Sequence, residues 1–190
     1  MTKYFISFLI LTVFVSCNEQ TERNVEDVKL PIALQEEVVE QFDNPKDTIT
    51  KDGIRVPIYD FENFKPFLNR LDNKIHVINF WATWCKPCVA ELPAFEELGQ
   101  NYPDVEVTLV SLDFLKAIES SLIPFIISNK LQSEVIVLNE PDANAWIPQI
   151  DENWSGAIPA TIIYKNEKSQ FYEQSFSYEE LEREVKQFDN

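Results

Sequence analysis

Apolar and polar positions along this chain switch between two periods, and the switches mark its elements. Residues 54–59 alternate in the two-residue rhythm of a strand, after which Phe61, Phe64, Phe67, Leu68 and Leu71 fall at helical spacing. Residues 77–82, apolar except for Asn79, read as a buried central strand. A helix is predicted over residues 85–101, with Leu92, Phe95 and Leu98 facing inward. Residues 105–112 read as the next central strand. Residues 114–129 read as a helix carrying Leu115, Ile118, Leu122 and Phe125, bent or split at Pro124. A strand over 134–138 follows, then a hairpin of residues 161–164 and 170–174 around Asn166-Glu167, and an acidic closing helix over 178–188. Strands alternating with helices, ended by a hairpin and a helix, predict an α/β fold: a central mixed β-sheet flanked by helices on both faces.

The first fifty residues carry a different pattern. Lys3 precedes an apolar run over 4–15, and Ser16-Cys17 follows. The run is short for a bilayer span, which takes about 20 apolar residues. It fits a secretory signal over residues 1–16, with a charged start, an apolar middle and a small residue at the cut. A cysteine directly after that small residue resembles the lipobox of bacterial lipoproteins, which implies cleavage before Cys17 and its lipidation. Phe14 departs from the leucine that the lipobox prefers, and a short uncleaved anchor helix is the alternative. Residues 17–50 read as an acidic tether with a possible short helix over 33–42, where Leu34, Val38, Val39 and Phe42 share helical spacing. As a flexible coil it reaches roughly 30 Å. The folded domain is expected over residues 51–190.

Composition narrows the partners. With 190 residues and 45% hydrophobic content, the chain can bury one full core. Sixteen basic against 32 acidic residues give a net charge of −16, which repels nucleic acid and anionic lipid surfaces. The acidic surplus serves solubility, or favours basic client proteins.

The chemistry concentrates in His76-Val-Ile-Asn-Phe-Trp-Ala-Thr-Trp-Cys-Lys-Pro-Cys-Val-Ala-Glu-Leu-Pro93. Cys85 and Cys88 lie across the first turn of the predicted helix, where unpaired N–H groups and the helix dipole stabilise a thiolate. Pro87 suits that turn, because its missing N–H has no helical partner there and its φ is already helical. A zinc site would need four ligands, and the chain adds only Cys17 and His76. The pair is therefore read as redox-active, with no metal and no cofactor. Cys85, at the helix start beside Lys86, is the expected nucleophile, and Cys88 the resolving thiol. His76, at a strand edge, is read as structural.

Residues 79–93 resemble the active-site segment of the TlpA/ResA-type thiol–disulfide oxidoreductases, extracytoplasmic members of the thioredoxin superfamily. Gly156-Ala-Ile-Pro-Ala-Thr161 is similar to that family's cis-proline loop, and Cys85, Cys88, Glu91 and Pro93 match its Cys-x-x-Cys-x-x-Glu-x-Pro pattern. The resemblance implies a thioredoxin-like fold in which Trp84, Lys86, Pro87, Ile158 and Pro159 wall the site and bind the client. It places Asn79 where ordinary thioredoxins bury an aspartate, so Glu91 becomes the candidate proton acceptor for Cys88, against the alternative of a solvated surface carboxylate. Implied partners are client proteins with cysteines or disulfides, a membrane electron donor, and the membrane itself through the lipid anchor. A monomer in the cell envelope facing the periplasm, acting as a reductant, is the expectation. A thiol peroxidase of the peroxiredoxin group is disfavoured, since Ala82 and Ile78 stand where that group needs Thr or Ser and Pro. A non-catalytic copper- or partner-binding lipoprotein is a further alternative, though copper chaperones of this fold use a longer cysteine spacing and a later histidine.

Overall fold

A computed structural model of the protein describes residues 44–189. The expected signal over 1–16, Cys17, the helix over 33–42 and the tether as far as residue 43 lie outside the described residues. Seven strands form one mixed sheet in the order β1-β2-β5-β4-β3-β6-β7. The strands are β1 (Asp47–Lys51), β2 (Ile54–Tyr59), β3 (Ile75–Trp81), β4 (Val105–Ser111), β5 (Glu134–Leu138), β6 (Ala160–Lys165) and β7 (Lys168–Tyr172). Strands β2, β5, β4 and β3 run parallel, so their carboxyl ends share one edge of the molecule; β1, β6 and β7 pair antiparallel with their neighbours.

Every residue of β3 is buried, because helices cover both faces. Its side chains alternate between two cores. Ile75, Val77 and Trp81 join one, with residues of α2 (Lys86–Asn101), α3 (Ile123–Asn129) and α5 (Tyr178–Val185). Ile78 and Phe80 join the other, beneath α1 (Phe61–Phe64) and α4 (Ala143–Ile150). The second core is largely aromatic: Phe80 lies 5.9 Å from Phe64, 6.2 Å from Trp146 and 5.0 Å from Trp154, ring centre to ring centre. Among the described residues no helix is long and apolar enough to cross a membrane.

Several boundaries differ from expectation. The sheet begins at Asp47, inside the segment read as tether, because β1 pairs with β2 from Asp47↔Ile58 to Lys51↔Ile54. Asp52 (φ 50°) and Gly53 (φ 79°) make the left-handed turn between them. The helix read over 61–71 is only α1 and a 3₁₀ turn over Lys65–Leu68. Asp60 caps α1 by accepting the Asn63 N–H at 2.9 Å, Pro66 enters at once, and Leu71 is exposed rather than inward. The segment over 114–129 is split as its proline implied, into a 3₁₀ turn (Leu115–Ala117), a π-helical turn (Ile118–Leu122) and α3, with Pro124 in the first turn of α3. Leu115, one of the apolar residues of the expected helix, is exposed. Helix α4 was not expected from the pattern; it contains Pro148 and is pinned by the buried Trp146.

Candidate active site

The site lies where β3 ends and α2 begins, at the carboxyl edge of the parallel strands, and its shape starts with a buried carboxylate. Asp113, just beyond β4, accepts the Thr83 N–H at 2.9 Å, the Thr83 hydroxyl at 2.6 Å and the Ser111 hydroxyl at 2.8 Å. Leu112 N–H donates to the Trp81 carbonyl at 2.8 Å. These bonds tie the loop after β4 to the loop after β3 and leave Cys85 as the N-cap of α2. The Cys85 Sγ accepts the Cys88 N–H at 3.3 Å, so the sulfur takes the place an N-cap oxygen ordinarily fills. Lys86 and Pro87 occupy the first turn, and Pro87 wastes no donor there.

Cys85 and Cys88 are joined as a disulfide. Cys88 is fully buried, while Cys85 keeps 6% of its surface open. Trp84 beside them is 60% exposed, and Lys86 and Pro87 are exposed as well. The Ile158–Pro159 bond is cis, and the Ile158 carbonyl oxygen lies 3.6 Å from Cys85 Sγ. Half-buried Ile158 therefore sits against Cys85, with buried Pro159 next to it in the chain. The structure thus brings together Trp84, Cys85, Lys86, Pro87, Cys88, Ile158 and Pro159; Cys17 lies outside the described residues.

Two residues that the sequence pattern did not single out hold the cis-proline loop in place. The Trp154 indole N–H donates to the Ala157 carbonyl at 2.8 Å, and the Glu173 carboxylate accepts the N–H groups of Ser155 at 3.1 Å and Ala157 at 3.3 Å, along with the Ser155 hydroxyl. Gly156 between them has φ +89°, and a side chain there would meet Ile147 at 3.1 Å. Asp113 was also missed. Its position just past a predicted central strand is a usable signal, since ligand-facing groups gather at the carboxyl ends of parallel strands.

Behind the disulfide, Glu91 is 3% exposed. It stands one helical turn beyond Cys88 on α2. Its Oε1 accepts from Asn79 Nδ2 at 2.9 Å and its Oε2 from the Phe176 N–H at 2.8 Å. Asn79 also donates to Thr161 Oγ1 at 3.1 Å, linking α2 to the strand that follows the cis-proline. Burial raises the Glu91 pKa to about 7 and outweighs both hydrogen bonds, which favour the anion. The carboxyl is buried, not solvated on the surface of the helix.

His76 lies toward the opposite end of β3. It is buried, bonded through Nε2 to Asp72 at 2.8 Å, and stacked on Tyr164 at 4.8 Å. Asp72, His76 and Glu106 could each bring one ligand atom within 4.8 Å of the others, but Glu106 is already paired with Arg70 and Lys74.

Residues 55–123 match the thioredoxin family. The chain is 38% identical over 71 residues to thiol-disulfide oxidoreductase ResA of Bacillus thuringiensis, covering 37% of this chain and 41% of that one. It is 35% identical over 78 residues to thioredoxin-like protein YneN of Bacillus subtilis, covering 40% of this chain and 45% of that one. It thus spans under half the length of these curated relatives. A solved DsbF homologue from Corynebacterium diphtheriae superposes with a TM-score of 0.53 at 19% identity, over 75% of this chain and 85% of that one. With a cysteine pair capping a helix at the end of a central strand and a cis-proline near it, the chain has a thioredoxin-like fold, and part of it is similar to the thioredoxin family and to proteins named ResA.

Proposed function

We propose that the protein is a thiol–disulfide oxidoreductase that exchanges the Cys85/Cys88 pair with cysteines of client proteins, acting as a reductant outside the cytoplasm. One observation carries this reading: Cys85, the less buried of the two cysteines, accepts a helix-start N–H at Sγ and has the Ile158 carbonyl 3.6 Å from that sulfur. The N–H stabilises Cys85 as a thiolate, and the backbone of the cis-proline loop offers an edge to which an extended client segment can pair.

In the reduced protein, the Cys85 thiolate attacks one sulfur of a client disulfide, breaking the client S–S bond and releasing one client thiolate. Cys88, deprotonated with Glu91 taking the proton, then attacks Cys85 Sγ, closing the Cys85–Cys88 disulfide and releasing the second client thiolate. Two electrons pass from the pair to the client, and a membrane dithiol donor returns them. Lipidation at Cys17 would hold the site near such a donor, and residues 18–43 would supply reach.

The test is disulfide reduction in an insulin-type assay together with trapping. Cys85→Ser abolishes turnover, and Cys88→Ser accumulates mixed disulfides through Cys85. Adducts that form only in the Cys85→Ser variant would reverse the two roles, and peroxide consumption without disulfide reduction would overturn the reading.

A further inference from the structure

Asn79, Glu91 and Thr161 form a polar cluster that the fold buries. Asn79 and Thr161 are register partners across β3 and β6, and Glu91 reaches them from α2. The Asn79 amide nitrogen commits both of its N–H groups here, one to Glu91 Oε1 at 2.9 Å and one to Thr161 Oγ1 at 3.1 Å. Its carbonyl oxygen Oδ1 is also buried and has no hydrogen-bond partner. An acceptor buried without a donor is unfavourable, so a permanently fixed amide would be a poor solution at this position.

The orphaned oxygen acquires a use when Glu91 changes its proton count. Ionised, the carboxylate only accepts, and it takes an N–H from Asn79; protonated, it gains an O–H that needs an acceptor. A half-turn of the Asn79 amide about its Cβ–Cγ bond puts Oδ1 where Nδ2 stood. The oxygen then accepts from the Glu91 hydroxyl, and Thr161 turns its own O–H from accepting to donating. The same three side chains therefore satisfy both forms of Glu91, which a leucine at position 79 would not do for either.

The other titratable groups on the surrounding elements are engaged elsewhere. Glu182 and Glu184 of α5 are bonded to Tyr102 and Tyr172, and Glu180 completes the cap of that helix at Ser177. His76 of β3 and Tyr164 of β6 stack on each other toward the far end of their strands. Cys88, one turn away on α2, is the titratable neighbour once the pair is reduced.

We propose that Asn79 is a positioning residue whose amide turns over with Glu91, presenting N–H to the carboxylate before the mixed disulfide resolves and C=O to the carboxylic acid afterwards. The proposal rests on Glu91 being the group that takes the Cys88 proton. In that step the Cys88 S–H bond breaks and a Glu91 O–H bond forms. The electron pair stays on Cys88 sulfur and makes the bond to Cys85 Sγ, and the client sulfur leaves with the pair of the broken mixed disulfide.

The experiment follows the isotope-labelled, oxidised full chain by NMR between about pH 5 and 9; Cys88 does not titrate in this form. The Glu91 carboxyl carbon and the Asn79 side-chain amide should titrate with one midpoint. On the acid side the amide protons should move upfield, and their nuclear Overhauser contact with the Thr161 methyl should weaken. A Glu91 that titrates while that contact persists unchanged overturns the turning amide and leaves Glu91 as the acceptor. A Glu91 that does not titrate in this range overturns both. Kinetics give a second readout. Asn79→Leu should slow resolution by about tenfold, roughly one buried hydrogen bond, at every pH, since neither form of Glu91 is then held. An unchanged plateau with the midpoint of the pH–rate profile moved upward would show a donor fixed on the anion and overturn the proposal.

Discussion

The buried Glu91 carboxyl is the acceptor proposed for the Cys88 proton. Asn79 cannot accept one near neutral pH, and its amide is committed to Glu91 and Thr161. Glu91 is buried and its pKa is raised to about 7, which suits the proposed exchange of a proton with Cys88 near neutral pH. Glu91→Gln keeps the shape and removes the acceptor. Resolution of the mixed disulfide should slow by up to about 10²-fold near pH 7, with its pH dependence flattened, as stopped-flow rates from pH 5 to 9 would show. The same group leaves a mark on stability. Its folded pKa lies above the model-compound value of 4.5, so between pH 4.5 and 7 the folded state holds a proton that the unfolded state has lost. Stability due to this group is complete below pH 4.5 and falls as pH rises toward 7, by about 3 kcal/mol at roughly 1.4 kcal/mol per pH unit. Urea unfolding of the oxidised protein at several pH values should show that decline, and Glu91→Gln should lack it.

At the level of elements, the site is an agreement between loops rather than a property of α2 alone. The end loop of β3 is held by a carboxylate from beyond β4, and the cis-proline loop is held by Trp154 and by Glu173, which lies just beyond β7. Asp113→Ala leaves the Thr83 N–H and the Ser111 hydroxyl without their acceptor. That should cost about 1–3 kcal/mol and loosen the approach to Cys85, seen as a lower urea midpoint and faster exchange of the Thr83 amide. Trp154→Phe keeps an aromatic ring among Phe80, Trp146 and Phe171 while deleting the bond to Ala157. A loss of about 1 kcal/mol with weaker client-peptide binding and an unchanged rate of Cys85 alkylation is the expected result.

Across the whole molecule, net charge and the proposed lipid anchor can each be tested. A net charge of −16 favours an extended chain through self-repulsion, so raising ionic strength from about 0.01 to 0.15 M, which shortens the screening length from about 30 to 8 Å, should stabilise the fold. Thermal unfolding in the two buffers measures this. Lipidation is tested at the same scale: Cys17→Ala should leave the protein unprocessed or released from membranes. Unchanged membrane association without lipid mass on Cys17 would favour an uncleaved anchor helix.

The sequence by itself determined the central architecture and the reactive pair. The buried strand read over 77–82, which proves to run over Ile75–Trp81, a cysteine at each side of the first helical turn and a proline before an apolar strand follow from local pattern, because periodicity and helix-end chemistry act over a few residues. The short elements were less legible. Strand β1 has few apolar residues and owes its place to the ladder with β2, while α4 contains a proline and is held by Trp146 from within an aromatic core. Only the tertiary structure decided the state of Glu91. Spacing put it one turn from Cys88, but its raised pKa comes from burial by the assembled fold, which outweighs the hydrogen bonds from Asn79 and Phe176, 12 residues before and 85 after it.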